Sequence, residues 1–255
     1  MKGSSIRLRS VQGKKLVSFL RGGDYAHPGE VEAINRAFAH IPKISSNLIL
    51  DVGCGLGGTA DYLHQSGFGH VTGIDIETES IIYAQKHHPS CTFYQADIKN
   101  LHASAIASNK YDIICIFNAF YEFQNQTIAL KELRKLAHDE TQFIIFDYVD
   151  LSHGESGFID TSNSNETSNP VSLDGLAKML KETGWDNTEY IDLRDEYIEW
   201  YNQLLEKLSE KKENIVLDFG QEKFDQALTR YTFIRDEIFN GKITGGIFII
   251  NASSG

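Results

Sequence analysis

The sequence predicts a doubly wound α/β fold, a parallel sheet covered by helices on both faces. Three observations carry this expectation. Short apolar runs alternate with stretches of helical spacing between residues 48 and 148. The run at 111–117 holds Ile113, Ile114, Cys115 and Ile116 without a break, as a strand buried on both faces does. The first run ends in a glycine-rich turn, Gly53-Cys54-Gly55-Leu56-Gly57-Gly58, that opens a helix. Strand–helix alternation of this kind builds parallel sheets.

The elements follow in order. Residues 1–20 carry several basic residues and a weak helical pattern ending in Val17, Phe19 and Leu20, and Arg21-Gly22-Gly23-Asp24-Tyr25 breaks it. Pro28 opens a helix with Val31, Ile34, Ala37 and Phe38 at helical spacing. The first strand is 48–52, and Ala60, Leu63 and His64 continue as a helix closed by Gly67. A second strand at 71–76 leads to a helix with Ile81, Ile82 and Ala84, stopped by Pro89. Strands at 91–94 and 111–117 come next; Leu130, Leu133 and Leu136 mark a helix, and 143–148 is the fifth strand.

Residues 152–170 are rich in Ser, Asn, Thr and Gly, with almost nothing to bury. They form a long loop, either a lid or a plain connection. Ser172 caps a helix with Leu173, Leu176, Met179 and Leu180 on one face and Gly184 at its end. A sixth strand spans 188–193, and a last one spans 245–250. Between them Ile198, Tyr201, Leu205 and Leu208 form one helical stripe, and Phe224, Leu228, Tyr231, Ile234 and Ile238 another. The chain reads as one domain over 1–255, with an N-terminal helical cap at 1–44 and a helical insertion at 195–240.

Composition narrows the function. With 255 residues and 41% hydrophobic there is enough chain for one large core. A net charge of −11 repels phosphate backbones and anionic membrane surfaces, so neither nucleic acid nor membrane is an expected partner. No run approaches the ~18 apolar residues of a membrane span, and none resembles a signal peptide. Cys54, Cys91 and Cys115 are odd in number, match no metal spacing and read as buried reduced thiols. The expectation is a cytoplasmic protein, monomer or homodimer, with a small-molecule substrate and no metal.

The glycine turn satisfies two ligand classes. Gly53, Gly55 and Gly58 match a dinucleotide pattern, with Asp75 near the distance of a ribose-binding acid. Asp51, two residues before Gly53 at the end of the first strand, argues against a pyrophosphate and for a ligand bearing positive groups. Asp75 ends the second strand and Asp97, with Ile98, follows the third. Three acids at three successive strand ends converge on one crevice.

These residues carry a resemblance. Asp51 to Gly57, Gly73-Ile74-Asp75-Ile76 and Ala96-Asp97-Ile98 resemble the first three motifs of class I S-adenosylmethionine-dependent methyltransferases. The resemblance implies a Rossmann-like seven-stranded sheet with an antiparallel last strand, and S-adenosylmethionine as cofactor. It also implies that the backbone at Gly53 and Gly55 meets the methionine part, Asp75 the ribose, Ile76 the adenine face, and Asp97 and Ile98 the adenine edge. Asn118 would lie near the transferred methyl.

Within that family the chain is similar to phosphoethanolamine and other small-amine methyltransferases, through Phe19-Leu20-x-Gly22-Gly23-Asp24-Tyr25, Gly55-Leu56-Gly57-Gly58-Thr59 and Tyr201-Asn202-Gln203-Leu204-Leu205. It departs from them at the catalytic positions. Arg9 stands where that group has a tyrosine, Glu122 where it has a histidine, and Asn118 where it has an aspartate. No basic residue in 152–170 replaces the one that clamps a phosphate.

Methyl transfer needs an in-line nucleophile and excluded water more than it needs a strong base. Tyr25 closes over the cofactor or packs as an ordinary aromatic. His27 is a base or a surface histidine at a helix start. Glu122 accepts a proton or holds a cationic amine, or is a solvated acid. Asp147 and Tyr148 end the fifth strand and face the crevice, with Tyr148 and Tyr201 toward the substrate. Tyr197 and Trp200, beside Asp195, Glu196 and Glu199, suit a cationic amine, though packing of two amphipathic helices on the core accounts for them more simply. The rival functions are a nicotinamide-dependent oxidoreductase and a non-catalytic S-adenosylmethionine-binding protein.

Overall fold

A computed structural model describes residues 10–156 and 168–253 of the chain. Seven strands form one sheet: β1 (Leu48–Val52), β2 (His70–Asp75), β3 (Thr92–Gln95), β4 (Tyr111–Phe117), β5 (Ala137–Asp150), β6 (Trp185–Asp192) and β7 (Ile243–Ala252). Their order is β3-β2-β1-β4-β5-β7-β6. The pairs from β3 through β5 are parallel, and β7 runs antiparallel between β5 and β6. The fold is therefore the doubly wound seven-stranded one expected, with the last strand reversed. Order reverses between β1 and β4, where such sheets open a ligand crevice.

Nine helices accompany the described strands: α1 (Val11–Arg21), α2 (Glu30–Ala37), α3 (Gly58–Gln65), α4 (Thr78–His87), α5 (Gln126–Lys135), α6 (Leu173–Glu182), α7 (Arg194–Glu210), α8 (Lys212–Phe219) and α9 (Gln221–Phe239). Short 3₁₀ turns follow β3 at Ile98–Ala103 and β4 at Phe120–Glu122.

The apolar strand runs are divided between two cores. On β4, Ile113, Cys115 and Phe117 face the core under α1 to α4 and α7 to α9, while Ile114 and Ile116 face the core under α5 and α6. Ile144 and Phe146 of β5 join the first core, and Phe143 and Ile145 the second. A period of two splits an unbroken apolar run this way.

Most boundaries fall within a few residues of expectation. Ser172 caps α6 through Gly175 N–H at 3.2 Å. The helical insertion differs: it holds three helices where two stripes were read. α8 was missed because Ile215 is its one fully buried side chain, too little for a periodic signal. Cys54 and Cys115 are buried free thiols, while Cys91 is only partly buried. No described helix is long and apolar enough to cross a membrane. The loop expected to be a lid or a connection lies largely at 157–167, outside the described residues.

Candidate functional site

The crevice at the carboxyl ends of the strands opens into a cavity of about 1610 Å³. That exceeds the ~300–1,000 Å³ of single small-ligand pockets, so it has room for two molecules side by side. The ends of β1, β2 and β3 contribute Gly53, Gly55, Asp75, Ile76, Asp97 and Ile98 to its wall. The other end is walled by Asn118, Tyr121, Glu122 and Tyr148 from the ends of β4 and β5, by Arg21 of α1, Tyr201 of α7 and Arg230 of α9.

At the first end the glycine turn brings backbone to the wall. Gly53 has φ +75°, and a Cβ there would sit 2.5 Å from the Ala119 methyl. Asp75 holds the turn together: Oδ2 accepts the Gly55 N–H at 2.9 Å and Oδ1 the Glu77 N–H at 2.9 Å. Lys14 of α1 reaches across to Asp75 and Glu77, both at 3.1 Å. Ile76 presents an apolar side chain that is 64% exposed on this wall, a platform without a protein partner on its open face. Asp97 spends Oδ1 on the Lys99 N–H at 2.9 Å.

Two buried polar atoms are left over beside this cradle. Asp51 Oδ2 has no partner. Burial, with Asp75 nearby, pushes its carboxyl from 3.8 up to about 7. Asp51 is not itself on the cavity wall. Asn118 is held in the left-handed region at φ 49°, a strained conformation of the kind that collects at functional sites. Its Oδ1 accepts the Tyr197 hydroxyl at 3.2 Å, and its Nδ2 is buried without an acceptor.

The other end is rich in phenols and cations. The Tyr148 and Tyr201 hydroxyls are hydrogen-bonded to each other. Burial raises Tyr148 well above 10 and Tyr201 to about 12, so both remain protonated. Burial works against the Arg21 charge, but its ion pair with Glu30 at 3.0 Å more than offsets this; its Nε has no partner. Burial likewise opposes the Arg230 charge, yet its value stays above the ordinary arginine range beside Tyr121, Tyr148, Tyr231 and Tyr201, so it remains a cation.

Three expected positions are corrected. His27 is fully buried, neither at the surface nor on the wall. Its ring nitrogens bond Pro28 O and Thr59 Oγ1, both at 3.1 Å, and it packs on Phe117 and Phe146. Burial lowers it from 6.5 to about 3, which makes it a poor base. Tyr25 packs edge-on to His27 and also lies off the wall, although Ala26 between them lines it. Asp147 turns from the cavity to bond backbone N–H groups. Tyr197 and Trp200 are core residues, and Trp200 Nε1 donates to Glu32 at 3.1 Å.

Lys14, Arg21 and Arg230 escaped the sequence reading. Each is one of several basic residues on an amphipathic helix, and nothing local separates it from a solvated one. Only the folding of α1 and α9 over the same cavity brings Arg21 and Arg230 to one group of tyrosines.

The sequence pattern of the methyltransferase domain family matches residues 45–212, from the start of β1 into α8. The chain belongs to this family. It is a class I S-adenosylmethionine-dependent methyltransferase domain, and that replaces the nicotinamide alternative. Among curated relatives, phosphoethanolamine N-methyltransferase 1 of Zea mays is 20% identical over 229 residues, 89% of this chain and 46% of the relative. The phosphoethanolamine N-methyltransferase of Plasmodium falciparum is 23% identical over 221 residues, 84% of this chain and 81% of the relative. The chain thus spans less than half the length of the maize relative. The methyltransferase also superposes on Haemonchus contortus phosphoethanolamine N-methyltransferase 2, solved with phosphomonomethylethanolamine and S-adenosylhomocysteine. The TM-score is 0.83 at 15% identity, over 99% of this chain and 61% of that one.

The cradle fits the cofactor of this family. An exposed apolar platform at Ile76, acids at two strand ends, the unpartnered Asn118 Nδ2 and a turn whose crowded glycine excludes a side chain suit a nucleoside joined to an amino acid.

Proposed function

We propose that this methyltransferase acts on the amino nitrogen of a small acceptor that carries an acidic group at its other end. One observation carries the reading: the acid Glu122, the cations Arg21 and Arg230 and the phenols Tyr148 and Tyr201 line one and the same cavity. A zwitterion is complementary to such a wall, with its ammonium toward the acid and its anion toward the arginines. The relatives' own acceptor, as their names give it, has this charge pattern.

In this reading Asp75, beside Lys14, would hold the ribose hydroxyls, Ile76 would lie against the adenine, and Asp97 and Ile98 would meet its edge. The backbone at Gly53 and Gly55, with Asp51 and Asn118 behind, receives the methionine part. The cofactor supplies a methyl already activated on a sulfonium. The protein's work is to orient and to exclude water. Tyr148 and Tyr201, protonated at neutral pH, act as donors rather than bases. Glu122 holds the amine and accepts its proton. Tyr25 and His27 act only through packing.

The test is calorimetry with S-adenosylhomocysteine, then methyl transfer to phosphoethanolamine, ethanolamine, glycine and sarcosine. Transfer to the anionic amines, with ethanolamine at least tenfold poorer in kcat/KM, is expected. Arg230→Met should raise acceptor KM at least tenfold and leave S-adenosylhomocysteine affinity within threefold. Equal use of ethanolamine would sink the acidic-group reading. Cofactor binding with no transfer across the panel would support the non-catalytic alternative.

A further inference from the structure

The turn that leaves β4 needs an anchor. After Asn118 the chain enters the 3₁₀ turn Phe120–Glu122, whose first N–H groups have no carbonyl one turn back to bond. A buried N–H left in this state costs stability and lets the turn drift. Both groups find the same side chain. Asp147 Oδ2 accepts Phe120 N–H at 2.8 Å and Tyr121 N–H at 3.2 Å. Its other oxygen accepts Tyr148 N–H at 2.7 Å.

Asp147 is 1% exposed and does not touch the cavity. The three residues it holds in place, directly or through the turn, all do: Tyr121, Glu122 and Tyr148. One carboxyl group thus ties the end of β4 to the end of β5 behind the acceptor wall. Burying an acid there is costly, and desolvation pushes its carboxyl up to about 8 against the pull of the three N–H donors. An apolar residue at this strand position would avoid that cost and would leave three amides unbonded.

We propose that Asp147 is a positioning residue for methyl transfer, whose carboxyl oxygens gather the Phe120, Tyr121 and Tyr148 amides and thereby set Tyr121, Glu122 and Tyr148 against the acceptor. It never meets the acceptor or the cofactor. The proposal needs methyl transfer at this cavity, as read above, but does not depend on which amine is methylated.

Asp147→Asn is nearly the same size but presents an amide NH₂ in place of one acceptor oxygen, so at least one backbone N–H loses its bond. In the full chain this variant should bind S-adenosylhomocysteine within threefold of wild type and melt within a few degrees of it. Its kcat on whichever panel acceptor the wild type methylates should fall at least tenfold. Hydrogen exchange at the Phe120 and Tyr121 amides should speed up at least tenfold, while Ile145 in the middle of β5 is unchanged. Wild-type kcat and KM in a folded variant, or a loss of cofactor affinity as large as the loss of rate, would overturn the proposal. If the variant does not fold, exchange in the wild type decides: Phe120 and Tyr121 amides that exchange as fast as exposed loop amides would overturn it, and protection comparable to β5 would uphold it. If wild type methylates no panel member, the acceptor reading fails while the exchange comparison still decides the anchor.

Discussion

Asp51 keeps its proton in the fold because burial and the neighbouring Asp75 disfavour a second charge, lifting it from 3.8 to about 7. The folded chain therefore binds more protons than the unfolded one between these two values. Stability contributed by this group is present at low pH and lost as pH rises through about 7. His27 has the opposite sign: with its pKa lowered from 6.5 to about 3, it favours the fold above 6.5, and that stability is lost as pH falls. Asp51→Asn removes the first effect alone. Between pH 5 and pH 8 the melting temperature of the wild type should fall relative to the variant, by the equivalent of about 2 kcal/mol, measured without cofactor. A constant gap across that range would mean that Asp51 is ionised in the fold. Neither group's state was legible in the sequence. Asp51 reads as a strand-end acid like Asp75, and the difference lies in who bonds it: Asp75 has two backbone N–H donors and Lys14, while one oxygen of Asp51 has none.

Among the elements, β7 and α7 depend on an absent side chain. A Cβ on Gly245 would lie 2.0 Å from the Tyr197 ring, which is fully buried and carries the hydroxyl bonded to Asn118. Gly245→Ala must push α7 away from the sheet or turn Tyr197 off Asn118. Overpacking of this kind costs about 3 kcal/mol, or about 10 °C in Tm for a domain of this size. A thermal melt within 2 °C of wild type would refute the close approach. The central strands were readable because β1, β4 and β5 carry compact apolar runs, and β1 and β2 end at a glycine turn or an acid. Helices over the cavity were readable as helices only. Their stripes, Leu16, Val17 and Leu20 on α1 or Tyr231 and Ile234 on α9, report which face is buried and not which strand ends lie beneath it.

For the molecule as a whole, the sheet is completed out of sequence order. β7 pairs with β5 along Gln142 to Asp150 and also carries β6, which has no other neighbour among the described strands. A chain ending at Gly241 lacks this strand. It should show no cooperative thermal transition by circular dichroism, whereas one ending at Ser253 should melt like the wild type. Cooperative melting of the shorter chain would show that β1 to β5 stand alone. This closure was foreseen through family resemblance. The apolar run at 245–250 reads as a strand on its own, but its direction and its place between β5 and β6 come from pairings that span the chain.

The late arrival of β7 has a consequence for manufacture. A ribosome delivers residues in order, and domains fold as they emerge. The nucleoside cradle is drawn from β1 to β3 and is available early. Tyr148 and Asp147, near the end of β5, stay unsupported on one edge until Gly245 and Gly246 emerge beside them. A half-made chain therefore has the strand ends that build the glycine cradle while β5 still lacks its neighbour, and of the seven strands in this sheet the one made after all the others is the one that steadies Asp147 and Tyr148.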